Sequence, residues 1–286
     1  MNRLDFLSAW ASLPRGFRYH ENANGTGSFT LPAFDAQRGL YHAFSARTGG
    51  VSEGEKRYLN LSMTRERYEP HTLTVQNYER FCAGEGIDAD SMVMDNYAHG
   101  TTVLHVTRDD CGRGWTREQL PSCDGLVTDD PGVTLVTGHA DCMAFYLYDP
   151  VRRCIGLAHA GWRGALGRIG AETVRKLVSC FCSDPADILA GVGPSICQAH
   201  FEVDADLGDT FAEAFPLTDC RMDGRPGKAY VDLWQVAVSQ FLEEGVRAEH
   251  ISLSGVCTYE DERVYSFRRD KEKTGGMAAF MRLDRD

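Results

Sequence analysis

The sequence lacks the features that would place its chain in a membrane or on a nucleic acid. No run of consecutive apolar residues approaches the roughly 18 that a membrane helix needs. The 286 residues include 30 basic and 41 acidic side chains, which gives a formal net charge of −11. Because sequence-independent binding to nucleic acid relies on a positive surface, this charge argues against such a partner. We therefore predict a globular protein that neither spans a membrane nor binds nucleic acid.

Several common catalytic and redox motifs are also missing. The chain contains no Walker A motif and no H-E-x-x-H, and its ten cysteines include no C-x-x-C. The apolar stretch within residues 1–16 is interrupted by Asp5 and ended by Pro14, so it indicates a short first helix rather than a signal peptide. Scattered cysteines without a secretion signal favour reduced thiols and a cytoplasmic location.

Hydrophobic periodicity predicts an α+β fold. A hydrophobic content of 43% is enough for a sizeable core. Helical spacing of apolar residues occurs in three segments, at 70–82, 164–178 and 231–246. Strands are predicted by apolar or β-branched runs, at 101–107, 125–138, 143–148, 154–160, 188–198 and 275–283. Because strict strand–helix alternation is absent, we expect a single domain with mixed β-sheets flanked by helices over residues 1–286, in which 1–38 is a less certain N-terminal extension.

Turn-forming residues and further apolar runs complete the predicted outline. Residues 18–34 are rich in Gly, Asn, Thr and Ser and predict a hairpin or loop near the start. A polar, Gly-rich loop at 48–58 is expected to separate two strands, at 40–44 and 59–63. Two segments near the C-terminus are expected to be closing strands, at 250–259 and 263–270.

Three isolated His and Cys residues stand beside glycine or at the ends of predicted strands. His99, next to Gly100, and Cys142 each directly precede a predicted strand, whereas His159 lies at the end of one. Two imidazoles and one thiolate suit Zn²⁺, and three protein ligands leave the fourth tetrahedral position open, as in catalytic zinc sites. Their wide separations match no short zinc motif, so satisfied packing in a core stays the alternative for each residue.

Six blocks of sequence occur in order between about residue 40 and residue 283. They are HAFSARTGGVSEG…YLNLS (42–62), AHGTTV (98–103), DGLVTDDPGVTLVTGHADC (124–142), GLAHAGWRGALGRI (156–169), GVGPSICQAHFEV (191–203) and CTYEDERVYSFRRDKEKTGGMAAFMRL (257–283). Together the blocks resemble the laccase-like multicopper polyphenol oxidoreductase family, also called the YfiH/DUF152 family of purine nucleoside phosphorylases. The resemblance implies the mixed-sheet YfiH-like fold.

The same resemblance implies a cofactor and a reaction. The histidine of the HG block, the cysteine of ADC and the histidine of HAGWRG bind one zinc in the family, and they correspond to His99, Cys142 and His159. The implied partners are purine nucleosides and phosphate, in phosphorolysis of adenosine, inosine and methylthioadenosine and in hydrolytic deamination of adenosine. Copper is less favoured as the cofactor, because laccases typically use H-x-H pairs and none of the nine histidines forms one.

Phosphate and substrate contacts are predicted for a second group of residues. The resemblance places the arginine of the S-x-R-x-G-G block, Arg47, at the substrate site with a catalytic role. Arginine suits phosphate because its guanidinium can bind two oxygens at once, and Arg163 is a second candidate for this contact. Ser45 lies two residues before Arg47, so we expect both side chains on one face of a strand and both in contact with substrate.

Two residues of the ADC block complete the predicted site. Asp141 is expected to support catalysis by orienting a ligand imidazole, with hydrogen bonds to backbone N–H groups at its turn as the alternative. His139 stands where the family usually has Thr or Ser, and Tyr97-Ala98 also departs from the usual pair. We expect His139 to contact substrate, to be a fourth metal ligand or a proton carrier, or to be a packed histidine.

Three other functions stay open at this stage. Cys142 could be the nucleophile of a hydrolase or deamidase, with His159 as its base and no metal. The chain could be a copper oxidase that acts on polyphenols, or a binding protein that keeps only the pocket. The sequence leaves the oligomeric state open between a monomer and a homodimer.

Overall fold

The computed structural model of the chain describes residues 1–53, 58–63 and 70–284. Eight α-helices lie in these ranges: α1 Arg3–Ser12, α2 Pro32–Asp35, α3 His71–Glu85, α4 Trp162–Leu166, α5 Ile169–Phe181, α6 Ala205–Ala214, α7 Leu233–Glu243 and α8 Phe267–Asp270. None of these helices combines the length and the apolar character that crossing a membrane requires.

The same ranges contain fifteen β-strands in three sheets. The strands are β1 Arg18–Glu21, β2 Gly27–Thr30, β3 Leu40–Ser45, β4 Met92–Met94, β5 Val103–His105, β6 Gly125–Thr128, β7 Thr134–His139, β8 Met143–Asp149, β9 Cys154–Ala160, β10 Leu189–Val192, β11 Glu202–Asp204, β12 Arg221–Asp223, β13 Lys228–Val231, β14 Ile251–Leu253 and β15 Met277–Leu283. Sheet one has the order β1-β2-β3-β15-β7-β4, sheet two the order β14-β10-β8-β9-β6-β5, and a small third sheet the order β11-β13-β12.

The two large sheets are mixed, which confirms the predicted fold class. Most neighbouring strands are antiparallel, but β4 with β7, β5 with β6, and β10 with β14 are parallel pairs. Side chains alternate between the two faces of a strand, so each sheet can bury both faces against different layers. The result is a single domain of mixed sheets flanked by helices.

Burial follows this alternation and builds three cores. Apolar side chains from both large sheets fill the space between them, including Phe29, Phe44, Leu135, Tyr146, Leu157 and Ala279. The outer face of sheet two packs against α1, α5 and α7 through residues such as Phe6, Phe145, Leu147, Val174, Leu177 and Phe241. The outer face of sheet one packs against α3 through Ala43, Val136, Phe280, Tyr78 and Phe81. Residues 1–38 take part in this packing, since β1 and β2 extend sheet one and α1 lies against sheet two.

Most predicted elements are present, including the first helix, the hairpin within 18–34, α3, α7 and the antiparallel pair β8–β9. The single helix predicted at 164–178 is wrong, because the chain breaks between α4 and α5. Arg168 has a φ of 69° at this break, in the left-handed region, and so ends the regular helical path.

Two strand predictions are wrong. The segment 263–270 contains α8 instead, because the Ser266 hydroxyl accepts a hydrogen bond from Arg269 N at 3.1 Å and caps a helical turn. Residues 59–63 form no strand. Residues 54–57 of the predicted loop at 48–58 lie outside the described ranges.

The chain crosses directly from sheet one to sheet two between β7 and β8. Only Ala140, Asp141 and Cys142 separate the two strands. This crossing explains why chemistry-bearing residues stand beside buried runs: they lie at the edge where the two large sheets meet.

Candidate metal centre and cavity

His99, Cys142 and His159 meet at this edge. One ligand atom from each residue, a ring nitrogen or Sγ, lies within 4.8 Å of those of the other two. The antiparallel register of β8 and β9 pairs Met143 with Ala160, which places Cys142 beside His159. His99 reaches the same point from the turn before β5. The structure therefore brings together the three residues that the sequence singled out as ligands.

A glycine makes this close approach possible. A Cβ atom on Gly161 would lie 2.6 Å from Cδ2 of His99 and 3.3 Å from Sγ of Cys142. The first of these distances is too short for two carbon atoms, so a side chain here would displace His99. His99 itself has a φ of 59°, a conformation that non-glycine residues rarely adopt. Backbone strain of this kind is concentrated at functional sites, where the surroundings hold it in place.

Asp124 is the carboxylate that orients His159. Its Oδ1 lies 3.3 Å from Nδ1 of His159, and its Oδ2 accepts hydrogen bonds from Gly100 N at 2.8 Å and Ala98 N at 3.3 Å. Its backbone carbonyl also accepts the His159 N–H at 2.7 Å. Metal-bound imidazoles commonly have such a carboxylate on the second ring nitrogen. One carboxylate thus fixes both the turn of His99 and the ring of His159.

The charges of the cluster favour a thiolate. Burial opposes ionisation of the Cys142 thiol, but the imidazoles of His159 and His99 lower its pKa to about 7. Burial would lower the pKa of His159, but the Cys142 thiolate and the hydrogen bond to Asp124 raise it to about 10. Both shifts favour a Cys142 thiolate beside the ring of His159. Metal binding requires this thiolate and two neutral imidazoles, so a bound metal would replace the proton on the His159 nitrogen that faces it.

Of the two roles predicted for Asp141, the structure shows a hydrogen bond from a backbone N–H, which comes from Arg268 rather than from its own turn. Its Oδ1 accepts a hydrogen bond from Thr258 Oγ1 and its Oδ2 one from Arg268 N, each at 2.6 Å. The expected contact with a ligand imidazole is made by Asp124 instead. Asp141 has a φ of 79° and ties the sheet crossing to the segment before α8. Its carboxylate therefore positions the backbone that carries Cys142.

His139 is a packed histidine with both ring nitrogens occupied. Nε2 lies 2.8 Å from Thr137 Oγ1, and Nδ1 lies 3.1 Å from the carbonyl oxygen of Cys142. Burial and the neighbouring His159 hold the pKa of His139 well below its usual value. A neutral ring with two partners has no free nitrogen for a metal, so the geometry does not make His139 a fourth ligand.

The cluster lies in the wall of a cavity of about 560 Å³. This volume is within the range of roughly 300–1,000 Å³ of small-molecule sites. Of the predicted site residues, His99, His139, Asp141, Cys142, His159 and Arg163 line it. Aromatic surface and a second acid are contributed by Tyr78, Tyr97, Trp162, Phe201, Phe267 and Asp95. The ring centroid of Tyr97 is 4.7 Å from that of His159, so the unusual Tyr97-Ala98 pair is part of the site.

Ser45 and Arg47 are not among the described residues that line the cavity. The Ser45 hydroxyl is fully buried and accepts a hydrogen bond from Ala278 N at 3.0 Å, inside sheet one. β3 ends at Ser45, so Arg47 does not share its strand face as predicted. The Arg47 guanidinium lies over the rings of Tyr58, at 4.9 Å, and Tyr265, at 5.8 Å.

Asp95 is a cavity residue that the sequence reasoning missed. Burial raises the pKa of this carboxyl to about 8, although His159 and a backbone hydrogen bond from Gly138 act in the opposite direction. Its Oδ2 is buried and has no hydrogen-bond partner among the described residues. The sequence offered one signal, an acid directly after the apolar run Met92–Met94.

The fold and this site define the chain as a member of the multi-copper polyphenol oxidoreductase laccase family, whose model matches residues 41–284. A relative named purine nucleoside phosphorylase from Deinococcus radiodurans is 37% identical over 244 residues, 85% of this chain and 89% of its own. Purine nucleoside phosphorylase YfiH from Escherichia coli is 30% identical and is covered over 98% of its length. The crystal structure of YlmD from Geobacillus stearothermophilus superposes with a TM-score of 0.86 at 30% identity, over 93% of this chain and 99% of that one.

Proposed function

We propose that the chain is a zinc-dependent purine nucleoside phosphorylase that also deaminates adenosine. The observation that carries the proposal is the thiolate and two imidazoles of Cys142, His99 and His159, held by Asp124 in the wall of a nucleoside-sized cavity. The names of the relatives supply the reaction class. The substrates are then small purine nucleosides and phosphate.

The donor set fits zinc. Cys142, His99 and the Nε2 side of His159 would hold the ion, because Nδ1 of His159 faces Asp124. Three protein ligands would leave one coordination position of the zinc open. When bound, the zinc would supply Lewis acidity that polarises an oxygen or activates a water at that position. Multicopper chemistry would need several neighbouring ions. The family name alone does not provide them, and the chain has no H-x-H pair.

Arg163 is the better of the two arginine candidates for phosphate. It lines the cavity and is exposed, and its guanidinium lies 4.2 Å from the centroid of the Trp162 ring. No ion pair with a carboxylate is present for Arg163 within the described part of the chain. Arg47 stays a candidate only if it moves away from its tyrosine rings. Guanidinium binding of two phosphate oxygens would hold the nucleophile near the anomeric carbon.

Asp95 suits the leaving group. Phosphorolysis breaks the bond between the anomeric carbon and N9, and the departing purine is stabilised when a proton reaches its ring. With a pKa near 8, the carboxyl of Asp95 holds its proton at neutral pH. A protonated carboxyl can donate to a purine nitrogen and accept the proton back afterwards. We assign this role to Asp95, and the positioning of Cys142 to Asp141.

A second candidate function is favoured by one specific observation. The Cys142 thiol, close to His159 and with a pKa lowered by it, is also the arrangement of a cysteine nucleophile and its base. Under this alternative the protein is a metal-free hydrolase or deamidase. Turnover of adenosine that survives a chelator and is abolished by thiol alkylation would support the hydrolase. Activity that is lost on chelation and restored by zinc would support the phosphorylase.

The test is turnover of adenosine by the purified full-length chain with and without phosphate, followed by chromatography. Adenine formed only with phosphate is the expected product of phosphorolysis, and inosine is the expected product of deamination. Cys142→Ala should form neither, whereas Cys180→Ser, which replaces an exposed cysteine, should behave as the unmodified chain. If the unmodified chain forms neither adenine nor inosine, the proposed function is ruled out.

A further inference from the structure

A second cluster of metal-ligand residues lies outside the cavity site. Cys197, His200, Cys257 and Glu260 each place one ligand atom within 4.8 Å of those of the other three. They come from two short segments with the same spacing, C-x-x-H after β10 and C-x-x-E after β14. β10 and β14 are parallel neighbours, so their carboxyl ends meet at one edge of sheet two.

The distances match the edges of a zinc tetrahedron. Nδ1 of His200 lies 3.3 Å from Sγ of Cys197, 3.8 Å from Sγ of Cys257 and 3.4 Å from Oε1 of Glu260. Sγ of Cys197 lies 3.9 Å from the same Glu260 oxygen. Zinc–ligand bonds of about 2.3 Å to sulfur and about 2.0–2.2 Å to nitrogen or oxygen give tetrahedral edges of about 3.4–3.8 Å. The four measured ligand–ligand distances, 3.3–3.9 Å, are therefore close to those of a tetrahedral zinc site.

We propose that Cys197, His200, Cys257 and Glu260 form a second zinc site, separate from the cavity. Two sulfurs, one imidazole and one carboxylate complete a tetrahedron and leave no open position, which is the pattern of structural sites. Soft sulfur ligands select zinc over magnesium or calcium. A simple ion pair between His200 and Glu260 would account for two of the residues but not for the two cysteines.

The surroundings support the ligands. The backbone N–H of Cys197 points to Sγ of Cys257 at 3.4 Å, and the His200 ring stacks on Tyr259 with centroids 4.2 Å apart. Arg268 donates from Nη1 to the carbonyl oxygen of His200 at 2.9 Å. These contacts fix the ring and the thiolate from outside the coordination shell.

The site would join two segments that form one wall of the cavity. Ile196 and Phe201 flank the first pair of ligands, and Phe267 and Arg268 follow the second; all four line the cavity. Asp141 is tied to the second segment through Thr258. The structural zinc therefore holds the substrate pocket in shape without touching substrate.

Zinc content of the full-length chain tests this proposal. The protein is expressed with added zinc, desalted and analysed by elemental mass spectrometry. We expect about two zinc ions per chain, one for each of the two clusters. Cys257→Ser and Cys142→Ala should each lose one, and the control Cys180→Ser should keep both. A single zinc that disappears in Cys142→Ala and persists in Cys257→Ser would overturn the second site while leaving the proposed function intact.

Alkylation of the unmodified chain gives a test that does not depend on a variant folding. Cys197 and Cys257 should resist iodoacetamide in zinc-loaded protein and react after chelation, as peptide mass spectrometry would detect. Cys180 and Cys182 are exposed and should react in both states. Equal reaction of Cys197 and Cys257 in the two states, or a disulfide between them in freshly purified protein, would refute the zinc site.

Discussion

Replacing Asp124 with asparagine should weaken zinc binding at the cavity site while leaving the fold intact. The carboxylate faces Nδ1 of His159 at 3.3 Å and accepts the Gly100 N–H at 2.8 Å. Asparagine has nearly the same shape but only one acceptor oxygen. If that oxygen keeps the Gly100 N–H, the amide NH₂ faces His159 and donates to Nδ1. The imidazole proton then moves to Nε2, the nitrogen that faces Cys142.

The magnitude follows from the lost partner. Removing the group that orients a metal-bound imidazole typically lowers metal affinity about 10–100-fold. This change corresponds to about 1.4–2.8 kcal/mol, since each tenfold step is about 1.4 kcal/mol. It agrees with the roughly 1.5–3 kcal/mol that a hydrogen bond to a charged group contributes. We therefore expect Asp124→Asn to bind zinc at this site at least tenfold less tightly.

Competition with a chromophoric chelator measures this affinity. Because the chain has two proposed zinc sites, the zinc bound at the cavity site is identified as the zinc that Cys142→Ala no longer binds. Asp129→Asn is the matched control. Asp124 directly precedes β6 and Asp129 directly follows it, but the side chain of Asp129 is 55% exposed. Wild-type affinity in Asp124→Asn would refute the reasoning, because it would mean that Asp124 does not hold a ligand of the metal.

Three other substitutions test the packing of the site and the buried charges. Gly161→Ala should displace His99 and cost about 1–3 kcal/mol by overpacking, with loss of cavity-site zinc seen by metal analysis; full zinc content would contradict the close packing. His139→Ala should destabilise the fold by about 1–3 kcal/mol in urea unfolding but keep zinc, because it removes the partners of two buried polar atoms; zinc loss with unchanged stability would instead indicate a ligand. Burial lowers the pKa of His42 from 6.5 to about 4, so the unfolded chain binds more protons in this window. The contribution of His42 to the free energy of unfolding is complete above pH 6.5 and should fall by about 2–3 kcal/mol toward pH 4. Urea unfolding at several pH values measures this dependence, which His42→Gln should flatten. An unchanged pH dependence in His42→Gln would exclude His42 as its source.

Elements with a strong periodic pattern could be predicted from the sequence. The alternating buried faces of β8 and β9 and the apolar stripe of α7 are decided by burial, which the pattern of residues encodes directly. The segment 263–270 has a weaker apolar pattern, and the cap by Ser266 makes its second half helical. Such local hydrogen bonds compete with strand pairing and leave little trace in hydrophobicity.

The candidate site was only partly readable for a related reason. His99, Cys142 and His159 stand out because each is a rare residue type beside glycine or a strand end. Asp124 does not stand out, because acids before strands are common and its partner His159 is 35 positions away. Cys197 and Cys257 are 60 positions apart, and only the parallel pairing of β10 and β14 brings them together. Long-range register of this kind is a property of the folded sheet.

The most direct test of the central claim is phosphorolysis of adenosine by metal-free protein titrated with zinc. We predict no adenine without zinc, and a rate that rises with zinc bound at the cavity site until that site is full. His159→Ala should stay inactive at every zinc concentration, since it lacks one of the three ligands. Full activity in the metal-free chain, or zinc-restored activity in His159→Ala, would contradict the account.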